Sequence, residues 1–284
     1  MRERHMRKNK AILALIGTSV LLSSCAVSLS RDEAIELLDK IVLRVSEGDF
    51  EIPETYSYSS HATYSETHES DVNFSYAKTS KYRYVHCKTI TKNVRDDAPT
   101  SNGPQKVSET ETLDEYYYLD PAAVEKTFIT YISKEIDWTY GKSDSPTKEH
   151  TKEIIRFEEV VGANALSSWE QVMKEMNGDR YSGDIRAVPD EFDSFLKALY
   201  NNRDVYVKDS KYSSLGDGNL DVFLITYTNG KEESRAATFD QHLVRSYDIR
   251  NDSIVKTSTY NWNNVKYIYP DLADARSSES SIIA

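Results

Sequence analysis

The chain has 284 residues, 29% of them charged and 11% aromatic, with a formal net charge of −11. That acidic balance argues against a nucleic-acid partner and against lying flat on an anionic bilayer, since both call for surplus Lys and Arg. Two cysteines are too few for a disulfide framework, so the fold must rest on its own core, for which the length suffices.

The chain opens on Arg2, Arg4, Arg7, Lys8 and Lys10 against one acid, Glu3, followed by an apolar run from Ala11 to Leu22. A basic segment before a short apolar one is the pattern of an export signal, and the run falls short of the roughly 20 residues of a transmembrane helix. Leu22, Ser23, Ser24 and Cys25 close it. An aliphatic residue, two small ones and a cysteine in this place resemble the lipobox of bacterial lipoproteins. The resemblance implies a signal peptide over 1–24, cleavage before Cys25 and a diacylglyceryl group on its thiol. It also implies a domain held on a cell membrane, outside the cytoplasm. Cleavage removes five of the 35 basic and one of the 46 acidic residues, leaving a charge near −15.

Residues 25–30 read as a very short lipidated tether. Ser30 and Glu33 fit a capping box, and Ala34, Ile35, Leu37, Leu38, Ile41, Val42 and Val45 follow near helical spacing. From Tyr56 to Val94 the composition turns to Tyr, Ser, Thr and Val, which predicts strands, most clearly over 81–91. Residues 96–105 read as a polar loop. Strands are expected over 115–119, 126–133 and 135–140, then a second polar break over 141–151.

The middle of the chain is read as helical. Ser168 and Gln171 can cap a helix whose stripe is Trp169, Val172, Met173 and Met176; a second carries Phe192, Phe195, Leu196 and Leu199 after Pro189. Residues 152–161 fit helix or strand equally. The last third predicts a meander: 204–208, a turn at 215–219, 221–228, a two-residue hairpin at Asn229-Gly230, then 233–239, 243–250, 254–262 and 265–269. Residues 273–284 read as a flexible tail.

The order of one helix, a run of strands, a helical insertion and a second meander, closing on Thr259-Tyr260-Asn261-Trp262-Asn263-Asn264-Val265-Lys266-Tyr267-Ile268-Tyr269-Pro270, resembles the LolA/LolB/LppX-type lipoprotein-carrier fold. The resemblance spans residues 31–270 and implies a curved, incompletely closed antiparallel sheet with helices on its concave side, accepting acyl chains or other apolar molecules between them. The expected fold is thus α+β: a single domain over 31–272, with an unclosed half-barrel of about 9–11 strands, an N-terminal helix and a helical insertion packed on it. Trp138, Trp169, Met173, Met176, Phe192, Phe195, Phe223 and Ile225 are the candidate lining of an apolar cavity; a core filled by its own side chains fits the same periodicity.

Catalytic motifs are not found. There is no G-x-S-x-G, H-E-x-x-H or phosphate-binding glycine loop, and no cofactor is implied. His61, His68, His86, His150 and His242 lack local ligand spacing, so no metal is expected. His86 and Cys87 are neighbours on a predicted strand and should face opposite ways, which makes Cys87 a small buried hydrophobe rather than a nucleophile. Asp217-Gly-Asn-Leu-Asp221 resembles part of a calcium loop but is explained by a hairpin turn. The 20 tyrosines suit half-wet strands. Two functions follow: an anchored envelope protein binding a lipid or other apolar ligand, or a surface interaction protein using a tyrosine-rich sheet face.

Overall fold

The computed structural model describes residues 27–30, 32–33, 36, 54–100, 103–141, 147–176, 206–216, 219–228, 231–240 and 243–279. The expected signal segment, Cys25, the whole of the N-terminal helix stripe and the expected helix with Phe192 and Phe195 lie outside the described residues. The capping box is present: Ser30 N–H and Oγ–H donate to Glu33 Oε2 at 2.7 and 2.8 Å, and Glu33 N–H donates back to Ser30 Oγ at 3.3 Å. These bonds hold the Glu33 carboxyl below its usual range.

Twelve antiparallel strands form one sheet, more than the sequence suggests. They are β1 (Val27–Ser28), β2 (Thr55–Ser65), β3 (His68–Lys78), β4 (Arg83–Thr100), β5 (Gly103–Leu119), β6 (Thr127–Tyr140), β7 (Thr147–Val161), β8 (Tyr206–Gly216), β9 (Asn219–Thr228), β10 (Lys231–Asp240), β11 (Leu243–Arg250) and β12 (Val255–Trp262). The spatial order is β1-β8-β9-β10-β11-β12-β2-β3-β4-β5-β6-β7. Two meanders are therefore sewn together where β12 pairs with β2, and among the described residues the sheet stays unclosed, with β1 and β7 at its edges.

Among the described residues, residues 32, 33 and 36 are helical and two further helices accompany the sheet, α1 (Ala165–Glu175) and α2 (Ala273–Glu279); no described helix is long and apolar enough to cross a membrane. A 3₁₀ turn over Gly162–Asn164 leads from β7 into α1, which starts at Ala165 rather than at the expected Ser168 cap. Gly162 sits at φ +87°, and a Cβ there would stand 2.9 Å from Glu125 Oε1. Gly162→Ala should therefore cost about 1–3 kcal/mol in urea unfolding, as other left-handed non-glycine residues do; an unchanged midpoint would show that the turn tolerates a side chain.

Several boundaries need correction. The polar loop at 96–105 is instead the end of a long hairpin, with Pro99 paired to Pro104 and Thr100 to Gly103. The strands expected over 126–133 and 135–140 are one strand, β6, and the ambiguous 152–161 stretch belongs to strand β7. The break at 141–151 shrinks because β7 begins at Thr147. Residues 27–28, expected in the tether, pair with Ser214 and Ser213.

The strand expected at 265–269 has no ladder partner. The chain turns out of β12 at Asn263, whose φ of 60° suits an Asn, and lies flat across the outer face of the sheet. There Val265, Tyr267 and Leu272 pack with Tyr84, Tyr116, Tyr118, Ile129 and Tyr131, ending in α2, where Ala275 is fully buried. Residues 273–279 are thus a docked helix rather than tail. Arg276 reaches Glu159 of β7 at 3.4 Å.

Candidate functional site: the inner face of the sheet

The opposite, inner face carries α1. Alternation along each strand and the ladder register align its side chains in rows. One row is Tyr260, Tyr58, Phe74, Cys87, Glu115 and Ile132, crossing β12, β2, β3, β4, β5 and β6. The next is Trp262, Tyr56, Tyr76, Val85, Tyr117 and Thr130 on the same strands.

The β12–β2–β3 end of both rows is wholly aromatic. Tyr58 stacks on Tyr260 and on Phe74, each at 5.5 Å between centroids, and Tyr56 lies 5.4 Å from both Trp262 and Tyr76. Cross-strand pairs of this kind stabilise a sheet by up to about 1 kcal/mol each. Over the face lie Ala165, Trp169, Met173 and Met176, at helical spacing and all buried in one cluster with Tyr56, Phe74, Tyr117 and Phe128. Leu29, Ala237 and Ile249 join that cluster, so the curling sheet brings both meanders around one interior.

A few polar groups interrupt it. Glu115 is 3% exposed and accepts a bond from Tyr117 Oη at 3.3 Å. Thr130 Oγ1, Trp169 Nε1 and Arg83 Nε are buried without a hydrogen-bond partner among the described residues. Lys78 Nζ and Arg83 Cζ each stand 5.7 Å from the centre of the Trp169 ring. The arrangement offers an aromatic and thioether bed bordered by donors. Binding is what it can do.

No family model matches this chain, and no curated protein matches it. Among solved structures it is similar to a beta-barrel-like protein of a domain of unknown function, DUF1849, from Brucella abortus. That likeness has 6% identity and a TM-score of 0.20, covering 76% of this chain and 100% of that one.

Of the residues expected to line a cavity, Trp169, Met173 and Met176 are brought together on the inner face. Trp138 is half-buried and well past Ile132 along β6, on the arm where β4–β7 outrun the core. Phe223 and Ile225 pair with Ala236 and Ser234, whereas buried Ala237 pairs with Val222. The side chains of Phe223 and Ile225 themselves lie outside the described residues. Phe192 and Phe195 lie outside the described residues.

Sequence reasoning missed the aromatic bed, although a signal existed: Tyr56-x-Tyr58, Phe74-x-Tyr76 and Tyr260-x-Trp262 repeat an aromatic pair at strand spacing. It also missed Lys78 and Arg83.

His86 and Cys87 do face opposite ways. Cys87 is in the inner cluster, and His86 stacks on Tyr116 at 4.2 Å and meets Asp114 at 2.6 Å on the outer face. Among the described residues no three His, Cys, Asp or Glu side chains gather as metal ligands. His61 pairs with Asp71 and His68 with Asn93. The calcium-loop fragment coincides with a tight hairpin, Gly216 pairing with Asn219.

Proposed function

We propose that this chain is a membrane-anchored cell-envelope lipoprotein that holds a lipid or another apolar ligand against the inner face, between the sheet and α1. The observation that carries the reading is the pair of aromatic rows facing Trp169, Met173 and Met176 on an unclosed sheet. Aromatic and thioether surfaces adapt to flexible apolar ligands with little cost in specificity of shape. The anchor would be Cys25. It precedes β1 by two residues, so at roughly 3.3–3.6 Å per residue the acylated thiol would stand within about 7 Å of the sheet. That places the domain at the bilayer surface, where apolar cargo is at hand.

Native mass spectrometry of the full chain, extracted in mild detergent, tests both parts. The expected spectrum carries the covalent diacylglyceryl mass on Cys25 plus a second, dissociable lipid. Cys25→Ser should abolish the covalent mass and processing, yet keep the dissociable one. Normal maturation of the Cys25→Ser chain would remove the anchor, and a wild-type chain free of dissociable lipid would remove the carrier role. The reading as a tyrosine-faced interaction protein has less behind it: Tyr56, Tyr58, Tyr116, Tyr117 and Tyr118 are buried, whereas Tyr76 is half-buried and Tyr64 exposed.

A further inference from the structure

The inner face ends, at the β3–β4 hairpin, in a corner with too many donors. Lys78 and Arg83 are register partners there, and both lie on the face of Phe74, Tyr76 and Val85. Their cations flank the Trp169 ring. Trp169 is 0% exposed and, among the described residues, neither its indole N–H nor the Nε–H of Arg83 has an acceptor.

The Arg83 guanidinium is held in place rather than loose. Its Nη1 donates to the carbonyls of Thr79 and Tyr82. No carboxylate stands within ion-pair distance of it among the described residues. Among the described residues the Lys78 ammonium pairs with Glu170, at 3.7 Å, with both side chains about half exposed, a pair that contributes little and is readily displaced. A part-buried guanidinium without a counter-charge and an indole N–H without an acceptor are both costly. An oxyanion at this corner would relieve both with charge-assisted bonds.

We infer that this corner is a head-group site for an anionic amphiphile, its carboxylate or phosphate oxygens bonded by Trp169 Nε1–H, Arg83 Nε–H and Lys78 Nζ, its chain running along Tyr76, Tyr56 and Trp262. The inference rests on the proposed apolar ligand of the inner face and narrows it to a chemical class. Tyr76 joins head to tail: it is two residues from Lys78 on the same face, and its ring is the neighbour of Tyr56.

The test is a competition among probes that share one chain. Delipidated full-length protein is given equal amounts of oleate, oleyl phosphate and oleyl alcohol, and occupancies are read by native mass spectrometry. The acids should exceed the alcohol by about tenfold or more, the equivalent of one charge-assisted bond. The ratio of oleate to oleyl phosphate then says which oxyanion the corner prefers. Lys78→Gln combined with Arg83→Gln should bring acids and alcohol to parity while alcohol binding persists. Lys78→Gln alone, at a half-exposed side chain, should move part of the way should the double variant fail to fold.

Equal binding of alcohol and acids by the wild-type chain overturns the head-group site and leaves the apolar-ligand reading standing. Binding of none of the probes overturns both.

Discussion

Ending the chain at Trp262 should unfold this domain or leave it barely stable. The segment from Asn263 to α2 lies across the outer faces of β4, β5, β6 and β7. The Tyr84 hydroxyl donates to Ile268 O at 2.7 Å and accepts from Ile268 N–H at 3.0 Å, so one side chain replaces a ladder bridge. Tyr267 stacks on Tyr82 at 4.2 Å, and Tyr269 meets Tyr84 and Tyr118 edge-on at 5.6 and 5.0 Å. Ser57 Oγ donates to Asn264 O at 3.2 Å and Asn263 N–H to Thr55 O at 2.7 Å, tying the start of the strap to β2.

Removing the strap exposes Tyr82, Tyr84, Tyr118 and Ile129. At about 1.5–3 kcal/mol for each large apolar side chain returned to water, the loss is of the order of a whole domain's stability. Circular dichroism and urea unfolding of the truncated chain would show it. A truncated chain with an unshifted midpoint would mean that the strap merely rests on the sheet. A cut at Glu279 instead keeps the docked Ala275 and the Arg276–Glu159 pair, so its midpoint should fall far less than that of the cut at Trp262.

The strap also shows where sequence reasoning reaches its limit. Val265, Tyr267 and Tyr269 alternate as a strand does, because the segment is extended and presses every second residue on a surface. Alternation reports extended chain over an apolar surface and cannot tell a ladder member from a segment laid across the ladder. Residues 273–279, read as the start of a flexible tail, form α2 instead, with Ala275 buried. Turn chemistry was more legible. Asn229-Gly230 joins Thr228 to Lys231 as expected, and β11 runs from Leu243 to Arg250 as read from the pattern. Pro99, Gly103 and Pro104 suggested a loop, but they stand at the far end of a hairpin, beyond a register shift between Arg95 and Ala98, where a ladder tolerates them.

The inner face was half legible for a related reason. A helix stripe points one way, so Trp169, Met173 and Met176 declare their common face from spacing alone. A strand apolar on both sides, as Val222 to Ile225 is, hides which parity turns inward until its neighbours are known. Lys78 and Arg83 were invisible because a hairpin normally carries such residues into solvent, and only the placement of α1 brings Trp169 between them.

Raising the pH should unfold the protein well before its exposed groups demand it. Tyr84, Tyr116 and Tyr118 are held far above the ordinary phenol range, and Tyr269 is pushed up to about 12, burial being the main cause in each case. Asp114 adds to the shift of Tyr116 through charge and its hydrogen bond, and Asp120 adds to that of Tyr118. In the unfolded chain these phenols ionise near pH 10. A group whose pKa is raised by folding contributes stability that is complete below its unfolded value and is lost as pH climbs toward the folded one. All four side chains lie at the strap–sheet interface or beside it, so their losses should add and fall on the element that closes the outer face. Tyrosinate absorbance and far-ultraviolet circular dichroism, followed together from pH 8 upward, should show the exposed tyrosines titrating first with the sheet intact. The buried set should then ionise in a single steep step that coincides with loss of the sheet, between about pH 10 and 12. Tyr118→Phe, which keeps the ring and removes the ionisable hydroxyl, should move that step upward. A smooth titration of every tyrosine near pH 10 over an unchanged sheet would show the strap open to solvent, and the truncation at Trp262 would then be expected to cost little.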